Sequence, residues 1–267
     1  MAITTLAQLA SKFPFQRDRW RKNTTGIPTG WPYYSPWLQA GEPGTGVIPS
    51  SGLSGDIPTT ATPGSFIFVN PAAGENTYVA AIDYTTAQTG SATIALYDRL
   101  WHNSGIDRTL TTAQTINSVA LTRPDATGDN AEAWWEVYVA MGTGTPTVTL
   151  GYTNDVGTAG RVGSSLALPA SMPIGRTAPF TLQSGDHGVR SIQSWQGSAT
   201  FGTVGTIGLV IRRLVAVAPM TFPGQQRVDA FSLGLPRVFD DACLEVIFPS
   251  SSTSASQGIF SIYFAQG

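Results

Sequence analysis

The chain has 267 residues, 12% of them charged, and a net charge of −2 at pH 7. A chain of this length buries a substantial core, and 42% apolar residues exclude gross disorder. The near-neutral balance excludes a global field that attracts nucleic acid or anionic membrane, and 29 Gly with 18 Pro exclude a mostly helical protein.

At the N-terminus, Thr5-Leu6-Ala7-Gln8 has the spacing of a capping box, in which Thr5 and Gln8 satisfy each other's orphan amides. Leu6, Leu9, Ala10 and Phe13 then recur at helical spacing until Pro14, which predicts a short amphipathic helix at about 5–13. Its apolar stripe is too narrow to hold a helix alone, so it is expected to dock on another surface.

From Pro14 to Pro63 no periodicity persists. Eight of the 18 prolines fall within residues 1–64, interleaved with Trp20, Trp31, Trp37, Tyr33 and Tyr34. Proline preorganises extended chain, and aromatic side chains supply large burial at low entropic cost. The segment therefore reads as an extended arm, laid either on a neighbouring subunit or on its own sandwich. Charge is segregated along it: residues 1–40 carry a net +4, and residues 41–98 carry five acids without a single Lys or Arg. The two stretches can clamp in cis or link copies in trans. Arg17, Arg19, Trp20, Arg21, Lys22, Trp31, Tyr33, Tyr34 and Trp37 are the interface candidates. Domain organisation is read as an arm over 1–64 and a β-sandwich over 65–267, which two smaller β subdomains can share.

Strand follows strand from there. Thr77–Thr85, Ala92–Trp101, Glu132–Met141, Thr147–Thr153, Ser164–Leu168, Thr177–Leu182 and Val189–Trp195 are rich in β-branched and aromatic residues. Thr206–Val217, Val228–Leu233, Cys243–Phe248 and Gly258–Phe264 complete the series. Turn signals separate them, including Thr89-Gly90, Asn103-Ser104-Gly105 and Pro223-Gly224. No helical pattern intervenes, so the fold class is all-β: an antiparallel double-sheet sandwich, jelly-roll-like, preceded by the Pro/aromatic-rich arm with its short helix. In the last strand Phe260, Ile262 and Phe264 share one face, and Ile259, Ser261 and Tyr263 the other. The doublet Arg212-Arg213 puts one guanidinium on each face of its strand, which calls for an acidic partner within the fold or from a neighbour.

Bond-making chemistry leaves no signature. His102 and His187 sit outside any metal-ligand pattern, and His102 reads as a turn or packing residue. Gly185-Asp186-His187-Gly188 is a Gly-flanked turn whose side chains are expected to face solvent. Asp240-Asp241 reads as a turn before a strand. Asp125, Thr127 and Asp129 offer oxygens at alternating positions, but the rest of a calcium loop is missing. The single cysteine, Cys243, lies in an apolar run and reads as a buried, inert thiol. No catalytic residue, cofactor or metal is expected. A spanning helix and a secretory leader are absent from the sequence, so synthesis in a cytoplasm is expected.

Several segments resemble those of a known family. Asp98–Gly105, Ala120–Gly128, Gly151–Arg161, Leu182–Ser191 and Gly234–Leu244 are similar to stretches in virion structural proteins of tailed bacteriophages and prophages, as is the opening Met1–Leu9. The resemblance runs over most of the chain and is diffuse; it contains no catalytic signature. It implies a β-rich component of the phage particle, a head decoration or head/tail-associated protein, located in the virion after synthesis in the host bacterial cytoplasm.

The expected function is therefore that of a capsid decoration (cement) protein, a homo-oligomer whose arm binds the major capsid protein or other virion proteins. A neck, tail or fibre-anchoring protein is the alternative. A carbohydrate-binding sandwich for host attachment is a further one, and it requires a cleft lined by Trp and Tyr. Neither a membrane nor a specific nucleic acid is expected as a partner. Removing residues 1–40 is expected to leave the sandwich folded and to weaken attachment to the particle.

Overall fold

The computed structural model describes residues 3–12, 16–22, 33–249 and 258–267. In chain order the first elements are α1 (Leu6–Lys12), β1 (Gln16–Lys22), β2 (Tyr33–Tyr34), β3 (Gly41–Glu42), β4 (Thr77–His102) and β5 (Gln114–Thr115). Then come β6 (Ala131–Val139), β7 (Thr147–Asn154), β8 (Arg161–Val162), β9 (Leu166–Ala167), β10 (Thr177–Pro179) and β11 (Val189–Gly197). The chain closes with β12 (Thr206–Asp229), α2 (Ala230–Leu233), β13 (Arg237–Val238), β14 (Leu244–Pro249) and β15 (Gly258–Gln266). The fold class is all-β, built from antiparallel sheets in a sandwich-like arrangement, as the strand-and-turn pattern predicts.

The chain divides into two compact units, and each is discontinuous in sequence. Unit 1 comprises Met1–Val47, Thr59–Asp98 and Leu214–Gly267; unit 2 comprises Ile48–Pro58 and Arg99–Arg213. The expected boundary at 64/65 is not where the structure divides the chain. The shift in proline and charge that suggested it marks irregular chain that belongs to the units themselves.

In unit 1, β15 lies between β4 and β1, and β3 pairs with the far end of β1. The second half of β4 pairs with β14 through Leu244↔Asp98 to Ile247↔Ala95, and β14 in turn pairs with β2. Side chains from β1, β2, β4, β14 and β15 enclose one core, which includes Val79, Ile82, Leu96, Leu244, Phe260, Ile262 and Phe264. In the last strand one face has Ile259 exposed, Tyr263 half-buried and Ser261 buried, and on the predicted shared face Phe260, Ile262 and Phe264 are buried. Phe66 and Phe68 join them from a loop and meet Phe260 and Phe264 at ring distances of 5.9 and 5.5 Å.

In unit 2, β6 lies between β10 and the first half of β12, while a second sheet runs β5-β11-β7-β8 with β9 on β7. β7 alternates strictly between half-buried and buried residues. β6 is buried on both faces from Ala133 to Tyr138, so it reads as a continuous apolar run interrupted by one acid, Glu136.

Three local expectations change. Thr89-Gly90 and Pro223-Gly224 are not turns; β4 and β12 run through them as strands of 26 and 24 residues. Residues 230–233 form a helical turn and not the end of a strand. Asp229 caps it by accepting from Phe231 N and Ser232 N, and Gly234 ends it at φ +72°, a left-handed conformation that glycine adopts without strain. The N-terminal helix is present, and its capping box is formed: Gln8 N donates to Thr5 Oγ1 at 3.2 Å and Thr5 N to Gln8 Oε1 at 3.1 Å. No residue of α1 is buried, and Leu6 of the expected docking stripe is 61% exposed. Phe13 and Pro14 lie outside the described residues.

Candidate functional site

Seven consecutive residues, Gln16-Arg17-Asp18-Arg19-Trp20-Arg21-Lys22, form β1, and a strand sends successive side chains to opposite faces. The even-numbered residues turn inward. Gln16 brackets Val69, accepting from its N–H at 2.7 Å and donating to its carbonyl at 3.0 Å. Asp18 Oδ2 accepts from Ile67 N at 2.7 Å, and Oδ1 accepts from Arg19 N at the same distance. Trp20 stacks on Phe260 with centroids 4.7 Å apart and meets Phe248 edge-on. Lys22 is buried, and its Nζ donates to the carbonyls of Trp37 and Gly44 at 2.9 and 3.3 Å.

The interface candidates therefore separate by parity and burial. Trp20, Lys22, Tyr34 and Trp37 are buried within unit 1 and offer no surface to a partner. Trp37 is pinned by its indole N–H, which donates to Val47 O at 2.8 Å. Tyr33 is half-buried, with its backbone paired to Pro249. Trp31 lies outside the described residues. Arg17, Arg19 and Arg21 point outward and are exposed. The segment expected as an extended arm is, where described, largely a structural part of unit 1. Burying two indoles and satisfying a buried ammonium with carbonyls holds it there.

The segregated charges meet in cis. Lys12 pairs with Glu75 at 3.2 Å and Arg19 with Glu42 at 2.9 Å, whereas Asp83 of the acidic stretch pairs with Arg227, from outside the basic one, at 3.5 Å. Asp98 is buried, and its Oδ1 accepts from Cys243 N at 3.0 Å beside the buried thiol. Arg17 has no carboxylate within ion-pair distance among the described residues. Its guanidinium donates to Ser261 Oγ at 2.9 Å and lies 5.4 Å from the Tyr263 ring centroid. Burial, then a hydrogen bond to Asp83, raises the Tyr263 phenol above its ordinary range.

A groove of about 910 Å³ opens alongside β1. It is lined by Arg17, Asp18 and Arg19, by Glu42 to Gly44, and by Thr60 to Ser65 with Ile67 and Phe68. Neither Trp nor Tyr lines it, unlike the aromatic cleft that sugar binding requires. Sequence reading missed the Thr60–Ser65 side, because hydroxyl-rich loop carries no periodic signal.

Unit 2 holds a second concentration of polar groups, fully buried. Glu136 accepts from Arg99 at 2.7 Å and from Arg212, so one carboxylate serves two guanidiniums. Arg99 also donates to Tyr138 Oη at 2.7 Å and to His102 Nδ1 at 2.9 Å, and Arg212 donates to Thr177 Oγ1 at 3.0 Å. This supplies the acidic partner that the Arg212-Arg213 doublet called for. The missed signal was Glu136 itself, a lone acid within an apolar strand. Burial, reinforced by Arg99, Arg212 and Arg123, holds the His102 pKa well below its usual value. His102 is thus a packing residue at a strand end.

The remaining candidates are structural. Asp186 does not face solvent as expected: its carboxylate is bidentate with Arg161 at 2.9 Å and accepts from Tyr152 Oη and Asn154 Nδ2. The Arg161 bonds lead in depressing its pKa far below the carboxylate range. His187 is exposed. Asp125 Oδ1 accepts from Thr127 N and Oγ1, closing a local turn. Asp241 sits in a turn at φ +58°, with its N–H on Asn70 Oδ1. Among the described residues no group of three His, Cys, Asp or Glu side chains could hold a metal, and no helix is long and apolar enough to cross a membrane.

No family model matches the chain, and no curated protein matches it. Among solved structures, that of the infectious bursal disease virus Gx strain aligns at 10% identity and a TM-score of 0.21, covering 94% of this chain and 79% of that one. The infectious bursal disease virus VP2 subviral particle aligns at 8% identity and a TM-score of 0.18, with the same coverages. TM-scores this low do not establish a shared fold.

Proposed function

We propose that the chain is a structural component of a tailed-phage virion that supplies contact surface and no catalysis, and that it acts as a capsid decoration (cement) protein. The observation that carries this reading is the construction of β1. Its inner side chains are locked into a core while Arg17, Arg19 and Arg21 stand outward at two-residue spacing beside an open groove. An arginine row on a rigid strand suits standing contact with another protein, since guanidinium forks dock on carboxylates with little loss of freedom. The sequence resemblance to phage virion proteins supports the same class. Each bound copy stabilises the assembled shell by mass action, with the major capsid protein or a neighbouring copy as partner.

Purified particles test this. The expected result is many copies per virion located on the head. A few copies at the neck or tail would favour an anchoring role and overturn decoration.

A further inference from the structure

From the segment that closes the core of unit 1 we infer a homotypic contact: residues 66–70 meet the same residues of a second copy of this chain, with the two-fold axis running along the segment. The inference deepens the assembly reading by naming the partner surface, and rests on it only for that contact serving a particle.

Three observations carry it. First, the segment is apolar on both faces. Phe66 and Phe68 are buried in the core, while Ile67 and Val69, which alternate with them, are 71% and 67% exposed. Chain that is apolar on both faces suits a place between two layers, and among the described residues only the inner layer covers it. Second, its main chain is engaged and held. Phe66 N donates to Leu244 O at 3.1 Å on one flank. On the other, Ile67 N donates to Asp18, and Gln16 brackets the N–H and carbonyl of Val69. Asn70 Nδ2 donates to Asp241 Oδ1 at 2.8 Å, and Asp241 N to Asn70 Oδ1 at 2.9 Å. A partner therefore meets side chains in fixed positions, which lowers the ordering cost of contact.

Third, charge selects the partner. No charged residue lies between Asp56 and Glu75, which matches the uncharged centre of a protein interface. The flanks differ. On the β1 side Arg17 and Arg19 stand with Asp18 and Glu42, a balanced set. On the far side Asp240 and Asp241 are exposed, and neither has an ion pair among the described residues; Arg237 nearby lies over the Phe239 ring, 4.5 Å from its centroid. An all-acidic partner is repelled by that far side, and an all-basic one meets Arg17 and Arg19. A second copy matches both flanks in one orientation. A two-fold across the segment would stack Asp240 and Asp241 of both copies on one another. A two-fold along it lays Arg17 over the partner's Asp240, and closes the contact as an isologous pair.

The test uses the full chain, with self-association read by sedimentation equilibrium and folding by melting temperature. The parent is expected to form dimers at submillimolar concentration. Ile67→Glu and Val69→Glu are each expected to weaken dimerisation at least tenfold at an unchanged melting temperature. Leu110→Glu, at an exposed position of unit 2, is expected to dimerise as the parent does. Arg17→Glu and Asp240→Arg are each expected to weaken dimerisation at least tenfold. An equal mixture of these two variants is expected to regain it, because in the mixed dimer both charge contacts again join opposite signs. A parent that stays monomeric would overturn the inference, as would dimers that survive Ile67→Glu and Val69→Glu or that Leu110→Glu weakens equally. A mixture no more dimeric than either variant alone would overturn it too, without recourse to the apolar variants. Copy number on the particle is measured separately. Many copies of a monomeric chain on the head would overturn the homotypic contact and keep the decoration role; a dimer confined to the tail would do the reverse.

Discussion

Trp20 and Phe260 lie face to face, 4.7 Å between ring centroids and 16° between planes, joining the first strand of unit 1 to its last. The pair sits in the core with Phe248 and Phe66, so Trp20 is a packing residue before it is anything else. Trp20→Ala is expected to cost about 3–5 kcal/mol in chemical denaturation. Arg21→Glu, on the opposite face of the same strand, is expected to stay within about 0.5 kcal/mol. Removal of residues 1–40 is accordingly expected to unfold unit 1, visible as lost near-ultraviolet dichroism. A truncated chain that keeps its native spectrum would refute the packing role.

Glu136 pairs with both Arg99 and Arg212, and all three side chains are at most 1% exposed. Taking away one partner of a buried ion group leaves charge in low dielectric, a loss of about 3–5 kcal/mol. Glu136→Gln is expected to show a loss of that size by urea titration. A variant as stable as the parent would mean that water reaches the cluster.

His102 makes unit 2 sensitive to mild acid. Its folded pKa is lowered, first by burial and then by three arginines, so the unfolded chain takes up the proton first. Stability is therefore complete above the unfolded value near 6.5 and falls below it, by about 1.4 kcal/mol per pH unit while the folded imidazole stays neutral. Denaturant midpoints between pH 7 and 5 are expected to show this slope. His102→Gln is expected to flatten it.

Gly41 joins β3 to the end of β1. It holds φ +145°, and a Cβ there would come within 2.0 Å of Arg21 O. Gly41→Ala is expected to detach β3 at a cost of about 1–3 kcal/mol. Faster hydrogen exchange at Arg21 and Lys22 is the measurement; unchanged exchange would show that the backbone yields elsewhere.

The strands were legible because β-branched and aromatic runs between turn residues are a local signal. The capping box at Thr5 and Gln8 was legible for the same reason. Pairing partners were not: nothing near Thr89-Gly90 tells that β4 leaves β15 and joins β14 by running straight on. The aromatic and proline content of residues 14–64 showed that this chain must lie on something, but composition does not distinguish a neighbour's surface from the chain's own. Parity within β1 resolves it, and parity carries information only once a strand is assigned. Asp186 was misread because its partner Arg161 is 25 residues away, beyond the reach of any turn motif.

Cys243 is completely enclosed, and it is the only sulfhydryl in the molecule. Alkylating reagents need an accessible thiolate, so the rate of labelling follows how often unit 1 breathes open. The polypeptide thus carries a natural stopwatch: one covalent tag per chain, applied only when the inside is briefly bared. Mass spectrometry can time those moments in free protein and in whole particles alike, without adding a foreign dye site.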